Sequence, residues 1–198
     1  MFIKVILSII IGYILGSVVA AILISRLFFK EDVREKGSGN SGATNAARVY
    51  GLRFGIVTFA FDFLKGIAAC LIGLAIGGRV SMAFAGAACI VGHCFPVLFS
   101  LRGGKGVSVG AAFALMADWR VFAIGLCIFL IAAFLSKRVS LGSVLGTLAV
   151  GVTCVIFPPE AAIKVLGPLA ALLVIFMHRG NIKRLINGTE AAFRLGNR

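Results

Sequence analysis

The sequence predicts an all-α polytopic membrane protein with seven transmembrane helices, its N-terminus outside and its C-terminus cytoplasmic. Three observations lead there. First, 60% of the 198 residues are hydrophobic and the mean hydropathy is +1.07, well above the roughly half-apolar usage of soluble domains. Second, the apolar residues gather in blocks, several long enough for a helix that crosses the hydrocarbon core, for which about 20 residues suffice. Third, the basic residues, 20 against 7 acidic ones, divide unevenly between alternate connections, the pattern by which positive charge orients membrane proteins. The chain reads as one integral membrane domain, 1–198.

Backbone groups in lipid must find their partners within the segment, so each block is read as a helix. The first, about 3–26, has only Lys4 before a long apolar run and no small-residue cleavage site before Arg26, so it is read as a retained span and not a removable signal. The second, 53–78, carries Asp62 and Lys65 three residues apart. Each is costly in the bilayer unless paired or facing a wet cavity, and an ion pair supporting the site is expected. The third, 80–101, holds His93 between Gly92 and Cys94, read as a hydrogen-bonded packing residue behind the site. The fourth, 106–117, is only about a dozen residues, a half-span or a tilted piece inside the bundle. Asp118-Trp119-Arg120 then marks a membrane interface and separates it from the fifth, 120–136. The last two are 140–157 and 161–178. The five cysteines form no C-x-x-C pair and no zinc-like spacing, and read as small buried hydrophobes.

Seven spans fix a parity. The segments after spans one, three, five and seven share a face and hold Lys30, Arg34, Lys36, Arg48, Arg53, Arg102, Lys105, Lys137, Arg138, Arg179, Lys183, Arg184, Arg194 and Arg198. The opposite face, with the N-terminus, holds only Lys4, Arg79, Arg120 and Lys164. The first set is therefore cytoplasmic. Orientation accounts for most of the basic excess, and no nucleic-acid partner is expected.

Three unusual polar segments share that cytoplasmic face. The run from Lys36 to Arg48 contains Gly37-Ser38-Gly39-Asn40-Ser41-Gly42, a formal G-x-G-x-x-G without the preceding strand that a dinucleotide site needs. What it keeps is physical: glycines let N–H groups approach an anion, and Ser, Thr and Asn add donors. Arg102-Gly103-Gly104-Lys105-Gly106 lacks the full P-loop pattern, since Gly106 follows Lys105. It remains a basic glycine turn opening a helix, whose N-terminal amides favour phosphate. His178-Arg179-Gly180-Asn181 opens the basic tail and offers a side chain that titrates near neutral pH. Together the segments predict a site for phosphate-bearing molecules. A plain flexible loop, or a basic loop that merely orients the protein, would show the same composition.

Absences narrow the chemistry. There is no H-x-x-x-x-D, no G-x-S-x-G, and no His/Cys/acid cluster with metal-ligand spacing, so no metal and no cofactor is expected. A transporter for a phosphorylated metabolite is the alternative, although no inverted repeat or matched pair of broken spans is visible. A lipid-headgroup binding protein is a further one, but it has no need for ordered Gly-Ser-Gly-Asn.

These motifs resemble the bacterial acyl-phosphate:glycerol-3-phosphate acyltransferase family, PlsY. The resemblance rests on Gly37 to Asn45 with Arg48, on Asp62-Phe63-Leu64-Lys65-Gly66, and on Gly92-His93-Cys94-Phe95-Pro96 running into Gly103-Gly104-Lys105-Gly106-Val107. It departs from the family pattern at Val18, Arg102 and Ser108-Val109, none of which removes a charge or glycine that phosphate binding needs. The resemblance implies transfer of a fatty acyl group from acyl phosphate to the 1-hydroxyl of glycerol 3-phosphate, giving lysophosphatidic acid and phosphate, in the bacterial inner membrane. Ser38, Arg48, Lys105, His178 and Asn181 are the implied catalytic set, with the Gly39 and Gly104 backbones cradling phosphate. Asn40, Ser41, Thr44, Asn45, Gly103, Gly106 and Arg179 are implied substrate contacts, and Asp62, Lys65 and His93 support them from behind. It also implies a substrate-assisted mechanism, in which a donor phosphate oxygen takes the hydroxyl proton. Bilayer lipid is the expected surrounding and a monomer the expected state.

Overall fold

A computed structural model of the chain describes residues 1–192; Arg194 and Arg198 of the parity argument lie outside these described residues. Every regular element among them is helical: α1 Phe2–Ser17, α2 Ala20–Phe29, α3 Ala43–Tyr50, α4 Leu52–Cys94, α5 Val107–Ala117, α6 Trp119–Ser136, α7 Val139–Ile156, α8 Ala161–Met177 and α9 Arg179–Ile186. Four stretches are long and apolar enough to cross a bilayer (2–29, 52–99, 119–136 and 139–156), and the bent pair α8–α9 makes a fifth. The protein is a multi-pass helical membrane protein.

Its interior is the reverse of a soluble core. Large apolar side chains point outward, Phe134 at 84% and Leu135 at 75% exposure among them, where acyl chains can solvate them. Much of the interior is made of small residues such as Ala69, Cys70, Ala83, Ala85, Cys89, Ala112 and Ala114. With no hydrophobic drive between helices in lipid, association depends on close packing of small residues. Four cysteines are buried as expected, and Cys127 is exposed.

α4 contains the second and third predicted blocks. Its helix is interrupted at Gly77 (φ −154°, ψ 27°) and Gly78 (φ 72°, ψ −162°). Gly78 lies in the left-handed region that favours glycine, and the chain folds back there. Cys70 meets Gly86 across the fold and Gly73 meets Ser81, so the two arms run antiparallel. The second arm ends at Cys94, not at 101 as the hydropathy suggested, because Pro96 lacks an amide donor and disfavours helix before it. Ser100 and Leu101 then take left-handed conformations that reverse the chain.

α1 lies on that second arm at backbone contact. A Cβ on Gly12 would fall on the Ala85 carbonyl, one on Gly16 on the Cys89 carbonyl, and one on Gly92 on the Tyr13 carbonyl. The first predicted span is broken at Val18–Val19, between α1 and α2. Lys65, reaching across from α4, takes the Val18 carbonyl at 2.6 Å.

α5 is as short as the sequence suggested. Its 11 residues rise about 16 Å, roughly half the hydrocarbon thickness, and it packs against α4, α6, α7 and α8. Its last carbonyls would be orphaned at that depth. Arg79 answers them, donating to the Met116 and Ala117 carbonyls at 2.8 and 2.6 Å while pairing with Glu160 at 2.7 Å. Asp118 then caps α6 through the Arg120 amide.

Overpacking at a backbone contact destabilises by about 1–3 kcal/mol or more. Gly12→Leu is expected to lower the thermal midpoint of the detergent-solubilised protein and the yield of folded material. The outward-facing Ile14→Leu is expected to change neither.

Candidate active site

The segments 30–51, 95–106 and 178–191 meet at one end of the bundle around a cavity of about 490 Å³. Each is held there by polar contacts that its own sequence supplies. Asp32 accepts from the Arg34 amide and guanidinium and from Arg26, and the Arg34 hydrogen bonds keep its carboxyl well below the usual range. Arg34 also donates to the Phe99 and Arg102 carbonyls at 3.0 Å, stapling the first loop to the second. Asn45 is 2% exposed; its amide donates to the Val33 and Lys36 carbonyls and accepts from the Ser38 amide.

The glycine-rich run is therefore an ordered turn feeding α3, not a linker. Two of its expected roles are corrected. The Gly39 amide is engaged by the Lys36 carbonyl and the Gly104 amide by the His93 carbonyl, as the Gly103 amide is by Cys94, so none of these is available to cradle an anion. The Asn45 amide is likewise spent on holding the loop. The glycines serve a different purpose: Gly104 lies flat on the His93 ring, where a Cβ would strike Nε2, and one on Gly103 would strike the His93 carbonyl.

Two helix starts also line the cavity. α3 begins after Gly42 and α5 after Gly106, neither with a side-chain cap, and Ala43, Thr44, Val107 and Ser108 line the wall. First-turn amides lack intrahelical partners and carry partial positive charge, so each start favours an anion.

Cations stand among them. Arg48 is half-buried on the cavity wall, and among the described residues it makes no side-chain hydrogen bond or ion pair. Lys105 donates to Asn181 Oδ1 at 2.5 Å, and Asn181 Nδ2 donates to Glu190 at 2.6 Å. Ser140 and Arg184 complete the Glu190 carboxylate at 2.6 and 2.7 Å. Burial pulls the Lys105 amine down to about 8, with Arg184 and Arg48 adding to the shift and Glu190 opposing it.

His178 is 2% exposed and its Nδ1 lies 2.8 Å from the Val174 carbonyl. A carbonyl only accepts, so Nδ1 carries the proton and Nε2 is left as an acceptor. Behind the site, Lys65 lies 2.7 Å from Asp62 Oδ1 and 3.0 Å from His93 Nδ1. The Asp62 contact is a charge pairing without an aligned hydrogen bond. An ammonium cannot accept, so His93 holds its proton on Nε2, against Gly104.

Of the predicted site residues, Ser38, Asn40, Thr44, Asn45, Arg48, Asp62, His93, Lys105, Gly106, His178 and Asn181 line this cavity. Ser41, Gly103, Gly104 and Lys65 do not line it, and Gly39 is exposed on the loop. Arg179 is turned away, its guanidinium 4.6 Å from the Phe176 ring centre. Sequence reasoning missed Glu190, Ser140 and the site role of Arg184. Glu190, an isolated acid in a strongly basic tail, was the available signal.

A second, apolar cavity of about 160 Å³ lies between α5, α6, α7 and α8 and shares Phe59, Gly106, Val107, Phe129 and Ser143 with the first. A cation-rich chamber at one end of a membrane bundle, joined to an apolar passage within it, suits an amphiphile with an anionic headgroup. The class so defined is an integral membrane protein acting on phosphate-bearing lipid.

The chain belongs to the glycerol-3-phosphate acyltransferase family, whose model matches residues 6–188. It is 39% identical to the glycerol-3-phosphate acyltransferase of Finegoldia magna over 92% of both chains, and 37% identical to glycerol-3-phosphate acyltransferase 2 of Bacillus anthracis over 93% of this chain and 97% of that one. Crystal structures of PlsY, an integral membrane glycerol 3-phosphate acyltransferase, superpose with TM-scores of 0.90 for the glycerol 3-phosphate form and 0.87 for the lysophosphatidic acid form, at 31% and 30% identity and 96% coverage of both chains.

Two predictions follow the charges. A hydrogen bond to a charged group contributes about 1.5–3 kcal/mol, so Arg48→Gln is expected to raise the KM for glycerol 3-phosphate at least about tenfold in a steady-state assay. Lys105 loses its charge as pH rises through about 8. The wild-type KM for glycerol 3-phosphate is expected to climb above that pH, and Lys105→Arg to abolish the climb.

Proposed function

We propose that the protein transfers a fatty acyl group from acyl phosphate to the 1-hydroxyl of glycerol 3-phosphate, in the first acylation of bacterial phospholipid synthesis. The observation that carries the reading is the junction of the two cavities, which matches a reaction whose substrates all carry phosphate and of which one carries a long apolar tail. Arg48, Lys105 and the α3 and α5 starts hold phosphate. The Ser38 hydroxyl and Asn181 complete the polar wall, and the acyl chain lies in the apolar passage.

The acyl carbonyl carbon is placed where the two cavities meet. The 1-hydroxyl oxygen of glycerol 3-phosphate forms the new C–O bond there, and the bond from that carbon to the donor phosphate oxygen breaks with its electron pair on phosphate. The hydroxyl proton passes to a phosphate oxygen of the donor, which leaves as hydrogen phosphate. His178 positions glycerol 3-phosphate by accepting at Nε2 a hydrogen bond from its 2-hydroxyl, which leaves the proton of the attacking 1-hydroxyl to the donor phosphate. The donor phosphate is an anion adjacent to the attacking hydroxyl, whereas the imidazole shares its cavity with Arg48, Lys105 and Arg184. The proton is therefore better accommodated on the donor. Acyl phosphate is already activated, so positioning and charge stabilisation supply most of the rate.

The antiparallel arms of α4 divide one long stretch in two, which supports seven membrane-inserted segments with α5 as a short fourth. With the N-terminus outside, the site faces the cytoplasm, where glycerol 3-phosphate is available, and the bilayer is the bacterial inner membrane. The protein acts there as a monomer.

Purified protein given palmitoyl phosphate and glycerol 3-phosphate is expected to release phosphate and lysophosphatidic acid in equal amounts; folded protein that yields neither would refute the assignment. His178→Ala is expected to keep a measurable fraction of turnover. Complete loss with substrate binding intact would make His178 the base. Single cysteines at Asn187 and Pro159, labelled from each side in a cysteine-free background, are expected to report opposite faces.

A further inference from the structure

The described helices contain many glycines, and nearly all have a visible reason. At Gly12, Gly66, Gly86 and Gly146 a Cβ would strike a neighbouring helix, and at Gly37 and Gly78 the backbone itself is left-handed. Gly110 has neither reason. It sits inside α5 with ordinary helical backbone, and a Cβ built on it meets nothing within 4 Å. Glycine weakens a helix relative to alanine, so an unforced glycine here gives up helical stability and leaves space in return.

That space is the apolar passage, which Gly110 lines. From the shared mouth the passage follows α5 from Val107 to Ala114, α6 from Phe129 to Phe122, α7 from Ser143 to Val150 and α8 from Val174 to Gly167. Each path covers two helical turns, a depth of about 10 Å at 1.5 Å per residue. Gly110 is one turn below the mouth. An extended hydrocarbon of C–C bonds near 1.5 Å advances roughly 1.25 Å per carbon, so Gly110 stands beside about the fourth carbon of a chain entering from the mouth.

We propose that Gly110 is the specificity-determining residue for acyl length: its missing side chain is what admits a long acyl chain past the first turn of the passage. The inference rests on the acyl-phosphate reading given above. A branched side chain at 110 projects into the passage without disturbing a helix contact, and it leaves the phosphate chamber untouched. Long donors are then excluded while short ones still seat their carbonyl at the junction.

The test compares Gly110→Leu and Gly110→Ala with wild type, using palmitoyl phosphate and acetyl phosphate as donors. Gly110→Leu is expected to lose at least about tenfold in kcat/KM for palmitoyl phosphate, the discrimination typical of a pocket that a few methylenes overfill. It is expected to keep acetyl phosphate turnover and the KM for glycerol 3-phosphate near wild type. Gly110→Ala is expected to lose less than Gly110→Leu with palmitoyl phosphate, in step with its smaller side chain. Unchanged palmitoyl turnover in Gly110→Leu, or equal loss with both donors, would overturn the proposal. Wild type inactive with both donors would instead sink the acyltransferase reading. A non-reactive readout decides the gauge in that event: hexadecylphosphonate should raise the thermal midpoint of wild type but not of Gly110→Leu, and inorganic phosphate should raise both alike. A hexadecylphosphonate shift retained in Gly110→Leu would refute the role of Gly110.

Discussion

The ammonium of Lys65 is the contact on which the rest of the structure depends. It lies inside a membrane bundle, only 7% of the residue exposed, and joins Asp62 on its own helix arm, the freed Val18 carbonyl of the first span and the His93 ring of the opposite arm. A buried charge is costly unless it is paired and given hydrogen-bond partners, and here Asp62 pairs the charge while the Val18 carbonyl and His93 Nδ1 accept from it. That requirement fixes the break between α1 and α2, the register of the two arms of α4, and the tautomer of His93. His93 in turn backs Gly104 and so sets where Lys105 and the start of α5 stand. One buried cation therefore links membrane architecture to the geometry of the phosphate chamber.

Much of this was legible because it follows from local rules. Hydropathy located the long apolar helices, and the gap between the second and third blocks falls at the reversal within α4. The three polar segments were read as one site because parity placed them on one membrane face, although a plain basic loop would share their composition. Asp62 and Lys65 were read as a pair from their spacing and the cost of charge in lipid.

What was not legible depends on partners distant in sequence. The end of α5 is made tolerable by Arg79, which precedes the helix by more than two dozen residues and also holds Glu160. Motif reading took the Gly39 and Gly104 amides as anion donors, and only the folded loop reveals that the Lys36 and His93 carbonyls claim them. Glu190 belongs to none of the motifs read from the sequence. Its place becomes intelligible once Ser140, Asn181 and Arg184 are seen around its carboxylate, orienting the amide that receives Lys105.

The shared mouth between chamber and passage has a consequence for turnover. On the proposed placement the product, itself an amphiphile, sets its phosphate in the chamber and its chain in the passage, and so occupies both subsites that the next donor needs. Release of headgroup and tail must be concerted with lateral escape into the bilayer. On that placement the surrounding membrane, by extracting lysophosphatidic acid, would be the sink that keeps the cycle moving.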